Sequence, residues 1–385
     1  MTFAGLIARN ALRQRLRTLL TVFGMAVAIL AFALLDTVVD AWYLGVNSAS
    51  PNRLVTRNAV SLIFTLPLSY RARMVQVPGV SKVAYANWFG GVYIDEKHFF
   101  PRIAIGPENY FDLAPEIVVP ADDLKNFWNQ RNACIAGQKL VKRYGWKIGD
   151  TIPVTGNIFP GSWNFVLRGV YSGATKTTDE TVLFFRWDYL DEQVKKLSPT
   201  RAGNVGWYVI QVQNPQEAPI VSESIDALFK NSWAETLTET EKAFQLGFVS
   251  MTEAIVIAVR VVSFVVIGVI LIVLANTMAM TSRERTPEYA TLKTMGFGDR
   301  YLAALIAGES IFIALLGGIL GIALSFPAAS LFSNQLENFL PVFHVAWKTL
   351  AMCGAISVVI GIASAVLPVW RATRVRIAEA LRHMG

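Results

Sequence analysis

The sequence predicts a membrane protein: four transmembrane α-helices, with an α+β extracytoplasmic domain inserted between helices 1 and 2. Three observations carry that prediction. Of 385 residues, 53% are hydrophobic and only 16% are charged, whereas a soluble domain is nearer a quarter charged. Four apolar runs are each long enough to cross about 30 Å of hydrocarbon. The formal charge of +7 is unevenly placed, because segments 1–17, 282–300 and 370–385 hold 12 Lys/Arg against 4 Asp/Glu while 40–250 holds 21 against 20. Short basic segments around a neutral large domain follow the positive-inside rule. The same distribution argues against nucleic-acid binding, which would put a basic face on the large domain.

Residues 1–17 read as a cytoplasmic N-terminal segment, with Arg9, Arg13, Arg15 and Arg17 ahead of a first span at 18–39. That apolar stretch exceeds the 7–15 residues of a secretory signal core, and no small-residue cleavage site follows, so an uncleaved anchor is expected. Gly24 and Ala28, four apart, allow another helix to approach closely. From 40 to 237 the texture changes to Pro-, Gly- and aromatic-rich sequence, the extracytoplasmic domain. Strands are expected at 83–94, 102–105, 151–154, 165–171, 182–187 and 207–212, and helices at 136–144, 188–196 and 218–230. Cys134 falls in this domain and Cys353 in an apolar run, which excludes an internal disulfide framework.

Residues 238–281 read as a stalk helix running into a second span. Thr238 and Glu241 have the spacing of a capping box, and Phe244, Phe248, Met251 and Ile255 follow at helical steps. With 261–280 free of charge, one helix of about 40 residues, on the order of 60 Å, is expected. Glu253 and Arg260 near its boundary read as interfacial polarity.

Residues 282–300 read as a short amphipathic helix between two spans. Thr286 is placed to cap it, Pro287 suits its first turn, and Glu288 favours its positive end. Gly296 is placed to take the left-handed conformation past the last turn, which folds Phe297 back toward Leu292. Tyr289, Leu292 and Met295 then form an apolar ridge flanked by charge, including Lys293. The ridge fits either a protein partner or the lipid headgroups.

A third span at 301–332 contains Glu309, read as interfacial because it lies near the span entrance. Gly317 and Gly321 mark a helix contact. A short outer loop at 333–347 carries Glu337. A fourth span at 348–369 leads to a cytoplasmic tail, 370–385, held inside by Arg371, Arg374, Arg376 and Arg382. Both termini are therefore expected in the cytoplasm. His98, His344 and His383 are too scattered to suggest a metal site, and no catalytic motif singles out a nucleophile. The run from Gly173 to Thr177, with Lys176, lacks the glycines of a phosphate-binding loop.

The segment SRERTPEYATLKTMGFGDR, the following GESIFIALLGGILG, the opening NALRQRLRTLLTVFGMAVA and the closing LPVWRATRVRIAEALR together resemble the FtsX/MacB/LolE-type (type VII) permeases of ABC transporters. Within the inserted domain, IGPENYFDL, CIAGQKLVKRYGWKIGDTIPV and FVLRGVYSG resemble the MacB-like periplasmic core domain. The resemblance implies that the 282–300 helix is a coupling helix seated on a cytoplasmic ATPase. Glu288, Tyr289, Leu292, Lys293, Met295, Gly296 and Phe297 would then be its coupling residues. From their spacing alone, Phe244, Phe248 and Met251 read as the stalk, and Gly24, Ala28, Gly317 and Gly321 as helix-packing residues. The partners implied are a dimer of ABC ATPase subunits holding ATP and Mg, a second permease chain forming a homodimer, a periplasmic adaptor protein and the lipid bilayer. No nucleic acid, and no cofactor or metal in this chain, is implied, and the location is the bacterial cytoplasmic (inner) membrane. MacB itself carries a fused ATPase domain; here a separate subunit is expected to supply it. The activity implied is mechanotransmission, in which ATP hydrolysis moves the outer domain to extrude a substrate from the periplasmic side. An FtsX-like regulator that activates an envelope hydrolase is the alternative.

Overall fold

The structure, a computed structural model, describes residues 3–175, 177–336 and 343–373. The expectations resting on Lys176, Glu337, Arg374, Arg376, Arg382 and His383 lie outside the described residues. The chain opens with α1 (Phe3–Ala11) and α2 (Arg15–Trp42). The inserted domain begins α3 (Leu44–Ser48), β1 (Arg53–Asn58), β2 (Leu66–Pro67), α4 (Tyr70–Met74), β3 (Val80–Trp88), β4 (Arg102–Gly106) and β5 (Ile117–Val118). It continues α5 (Ala121–Asn129), β6 (Ala133–Gly137), α6 (Gln138–Tyr144), β7 (Thr151–Gly156), β8 (Gly161–Gly173), β9 (Leu183–Arg186) and α7 (Trp187–Leu197). It closes with β10 (Asn204–Val205), β11 (Trp207–Val212), α8 (Ala218–Phe229), β12 (Thr236–Thr240) and α9 (Glu241–Met251). Then come α10 (Glu253–Glu284), α11 (Thr286–Thr294), α12 (Asp299–Leu336) and α13 (Trp347–Thr373). Two compact units divide the described residues: 42–251, and a helical unit of 3–41, 252–335 and 343–373.

In the helical unit, α2, α10, α12 and α13 are each long and apolar enough to cross a membrane. They meet in a core of Met25, Ile29 and Phe32 from α2, Leu274 and Met278 from α10, Ile313 from α12, and Cys353 and Ile360 from α13. Their outward faces stay apolar, as on Phe264, Ile272, Ile319 and Val359, which suits hydrocarbon rather than water.

The inserted domain is built on a mixed sheet in the order β12-β1-β11-β3-β4-β9-β6-β8-β5, with β7 added to β8. The β4–β9 and β6–β8 pairs are parallel and the others antiparallel. Successive side chains of a strand point to opposite faces, and both faces are covered. Cys134 and Phe185 pack into one apolar layer with Leu190 of α7 and Ile225 of α8. Ile135 and Phe184 enter the other layer with Phe127 of α5. The strand expected at 182–187 gives up Trp187, which begins α7. Strands β1, β6 and β12 lie where the sequence reading placed none.

The structure revises the stalk. Thr238 sits inside β12, paired to β1, and its hydroxyl donates to Asp226 Oδ1 at 2.7 Å. Thr240 caps the helix instead, accepting from the Ala243 amide at 3.2 Å. Glu241 does not reach back to a cap residue, because Ser50 N and Arg53 Nε each donate to its Oε2 at 2.8 Å. Arg53 also pairs with Glu116 at 2.7 Å, so these carboxylates raise its pKa in spite of burial. The single continuous helix is divided at Thr252, whose φ of −114° and ψ of 11° are not helical.

Candidate functional site

One residue, Arg285 (φ −97°, ψ 9°), separates α10 from α11. So short a turn leaves no room for the expected Thr286 cap. The Thr286 hydroxyl instead donates to the Ser282 carbonyl at 3.3 Å, and α11 has no side-chain cap. Pro287 and Glu288 do occupy its first turn, where a missing N–H costs nothing and a negative charge meets the positive helix end. The stop is as the sequence reading expected. Gly296 takes a φ of +91°, its amide donates to the Lys293 carbonyl at 3.1 Å, and the Phe297 amide donates to the Leu292 carbonyl at 3.1 Å. These are the two bonds of a Schellman motif.

The apolar ridge is split between two surroundings. Tyr289 is buried with Leu302, Ile306 and Ala372, and Leu292 and Val369 each pack against that cluster. Burial pushes the Tyr289 hydroxyl up to about 12. Both residues therefore join α11 to α12 and α13 of their own chain, with Leu292 left partly exposed. Met295, 69% exposed, is left facing outward. Glu288, Thr291 and Thr294 share that exposed surface, and Phe297 lies beside Tyr301 with ring centroids 4.7 Å apart. Lys293 donates to the Thr373 carbonyl at 2.9 Å and pairs with Asp299 at 2.8 Å, which fixes the last turn.

Behind α11 lies a polar centre that the sequence reading missed. Glu309 is buried, not interfacial: Arg285 Nη1 donates to its Oε2 at 2.8 Å, and Arg285 Nη2 donates to the Asn10 carbonyl at 3.0 Å. Around this pair, Arg13 bonds Glu288 at 2.6 Å. Arg17 bonds both carboxylate oxygens of Glu284 at 2.7 and 2.9 Å, and Gln14 adds a bond at 2.8 Å. The segment between α1 and α2 is thus bound to both sides of the α10–α11 turn. Glu309, a lone charge in an otherwise apolar run, was the available signal, since an ionisable group at membrane depth needs a partner.

The four packing residues are brought to contacts within one chain. A Cβ added to Gly317 would lie 2.5 Å from Met25 Cβ, and one on Gly321 would lie 2.6 Å from the Ala26 carbonyl oxygen, so α12 presses backbone-close on α2. Ala28 is buried in the same core. Gly24 is less confined, since its added Cβ would meet only Ile270 Cδ1 at 3.6 Å. In the inserted domain, Phe244 and Phe248 stack edge-on with centroids 5.0 Å apart, and Phe248 is exposed. The side chain of Met251, the last residue of α9, lies outside the described ones. Cys134 and Cys353 are free and buried in different units. Among the described residues no cluster of His, Cys, Asp and Glu could hold a metal.

Residues 18–228 match the MacB-like periplasmic core domain, and residues 260–377 match the C-terminal domain of FtsX-like permeases. The chain belongs to the MacB/FtsX family of ABC transporter permeases. An uncharacterized ABC transporter permease of Methanocaldococcus jannaschii is 22% identical over 97% of this chain and 96% of its own. The macrolide export ATP-binding/permease protein MacB of Bdellovibrio bacteriovorus is 27% identical over 45% of this chain, which spans 28% of that relative. Among solved structures, the periplasmic region of MacB from Actinobacillus actinomycetemcomitans aligns with 53% of this chain and 95% of its own, at 12% identity and a TM-score of 0.39. The permease is a multi-pass membrane protein with its α/β domain between the first and second spans.

Proposed function

We propose that this permease is the non-catalytic membrane subunit of an ATP-driven exporter, and that α11 is the element an ABC ATPase grips. The observation that carries the reading is the division of α11 into two faces. Tyr289 and Leu292 lock it to α12 and α13, while Met295, Thr291 and Glu288 are left outside. A helix rigidly joined to two spans, with an apolar tip exposed, is built to receive a push and pass it on. The ATPase dimer binds ATP and Mg; its closure moves α11, and α10 with α9 carries the displacement to the inserted domain. That movement expels a substrate from the outer side of the cytoplasmic membrane, with both chain ends inside, as the basic segments favour. A second permease chain completes the complex, and a periplasmic adaptor extends it outward.

The test is co-purification of the ATPase with the Met295→Asp permease. A charge in an apolar seat costs a few kcal/mol, so capture falls by tenfold or more while thermal stability is unchanged. Undiminished capture would leave α11 as a helix that merely rests on the headgroups.

A further inference from the structure

On the α7 side of the inserted domain is a cavity of about 210 Å³. Its buried floor is formed by Trp187, Leu190 and Val194. Its rim is apolar: Ile63 is 88% exposed and Trp233 is 90% exposed. Large apolar side chains held in water around a concavity mark a binding surface. The polar groups decide what it binds. Trp187 Nε1 donates to Asn87 Oδ1 at 2.9 Å, and an indole nitrogen only donates, so this bond fixes which way the carboxamide faces. Asn87 is itself buried and lines the cavity, and among the described residues no acceptor takes its Nδ2 donors. Asp191 is already satisfied, by the Gly203 amide at 2.6 Å and by Lys195 at 2.6 Å. Arg201, with its guanidinium 5.5 Å from the centre of the Phe159 ring, pairs with no carboxylate among the described residues. Asn87 Nδ2 inside the cavity and the exposed Arg201 guanidinium at its rim are thus donors open to a ligand's acceptor.

We propose that this cavity binds a small amphiphile: its carbonyl or carboxylate accepts from Asn87 and Arg201, and its apolar segment lies between Trp187 and Trp233. A dry cavity of about 150 Å³ accommodates benzene, so the larger space here admits a chain of about six to eight carbons. The ligand chemistry is an acyl group, supplied by a free acid or by an amide-linked chain. The proposal concerns the inserted domain alone and goes beyond coupling to an ATPase, so it is read without any partner subunit.

The experiment is equilibrium binding of radiolabelled octanoate, N-methyloctanamide and octylammonium to the full chain in nanodiscs, with empty nanodiscs subtracted. Octanoate and N-methyloctanamide bind saturably and octylammonium does not. Asn87→Asp keeps the acceptor for Trp187 but replaces the free donors with an acceptor, and it weakens both acyl ligands at least tenfold. Trp233→Ser changes only an exposed side chain, so the fold is kept, and it weakens both as well. Arg201→Gln separates the sources: a tenfold loss confined to octanoate identifies a free acid, and an equal small loss for both identifies an amide-linked chain. Octylammonium binding as tightly as octanoate, unchanged affinity in both Asn87→Asp and Trp233→Ser, or no saturable binding by either acyl ligand would overturn the proposal.

Discussion

Arg285 donates to Glu309 at 2.8 Å in the interior of the helical unit, and the same guanidinium holds the Asn10 carbonyl at 3.0 Å. One side chain thus joins the N-terminal segment, the α10–α11 turn and α12. A buried ion pair adds little net stability over a matched apolar pair, but removing one member strands the other charge, at a cost of about 3–5 kcal/mol. Arg285→Leu and Glu309→Leu should each destabilise the permease by about that amount, and the double variant should lose far less than their sum. Thermal unfolding of the four proteins in nanodiscs closes the cycle, and additive losses would show the two residues to be uncoupled.

Gly317 of α12 and Gly24 of α2 give a contrast within one experiment. Gly317→Ala places a Cβ 2.5 Å from Met25 Cβ, so α2 and α12 must separate, at about 1–3 kcal/mol. Gly24→Ala meets only Ile270 Cδ1 at 3.6 Å and should be neutral or slightly stabilising, since Ala is the better helix former. Because the Gly317 contact lies within one chain, its destabilisation should not depend on protein concentration. A concentration-dependent loss would relocate that contact between chains.

Leu292 and Met295 should behave oppositely. Leu292→Asp places a carboxylate against the buried cluster of Tyr289, Leu302 and Ile306, and should lower the unfolding midpoint by the equivalent of about 2–4 kcal/mol. Met295→Asp should leave that midpoint unchanged. If Leu292→Asp left the midpoint unchanged, α11 would not be packed on α12 and α13.

Orientation is tested by labelling. Both native cysteines are buried, and burial pushes the Cys134 thiol above its usual range, which disfavours the reactive thiolate. In a background lacking both, Ser172→Cys should react with an impermeant maleimide added to intact cells, and Thr294→Cys should react only after lysis; both positions are exposed. Reaction of Thr294→Cys in intact cells would overturn the proposed topology.

The spans were legible because hydrophobicity and length decide them, and the Schellman stop was legible because Gly296 and Phe297 stand at the only spacing that closes it. The inserted domain was legible as alternating strands such as β11, but not as a sheet. Strand β6 reads Ala-Cys-Ile-Ala-Gly and is buried on both faces, so it carries no alternation to read. The cap at Thr240 lost to a better-looking spacing at Thr238, which the β1–β12 pairing had claimed. The Arg285–Glu309 pair was hidden for another reason. Its members are 24 residues apart, and only the return of the chain through α11 brings them together.

The last prediction follows from the division at Thr252. At one side, α9 is anchored in the inserted domain, because Arg53 and the Ser50 amide hold Glu241 at its first turn. At the other, α10 runs unbroken from Glu253 to Glu284, so only Thr252 stands between the anchor and the turn that carries Arg285. A single residue joins the two helices, whereas an inserted Gly-Ser linker behaves as a random coil. A ten-residue Gly-Ser insertion after Met251 should therefore leave ATP hydrolysis by the purified complex intact while abolishing substrate efflux from cells. A seven-residue helical insertion at the same place adds nearly two whole turns and roughly keeps the facing of the helix it extends, so it should retain most of the efflux. Efflux at the unmodified rate with the flexible linker would show that α9 and α10 are a tether, and that whatever the ATPase drives stays within the helical unit.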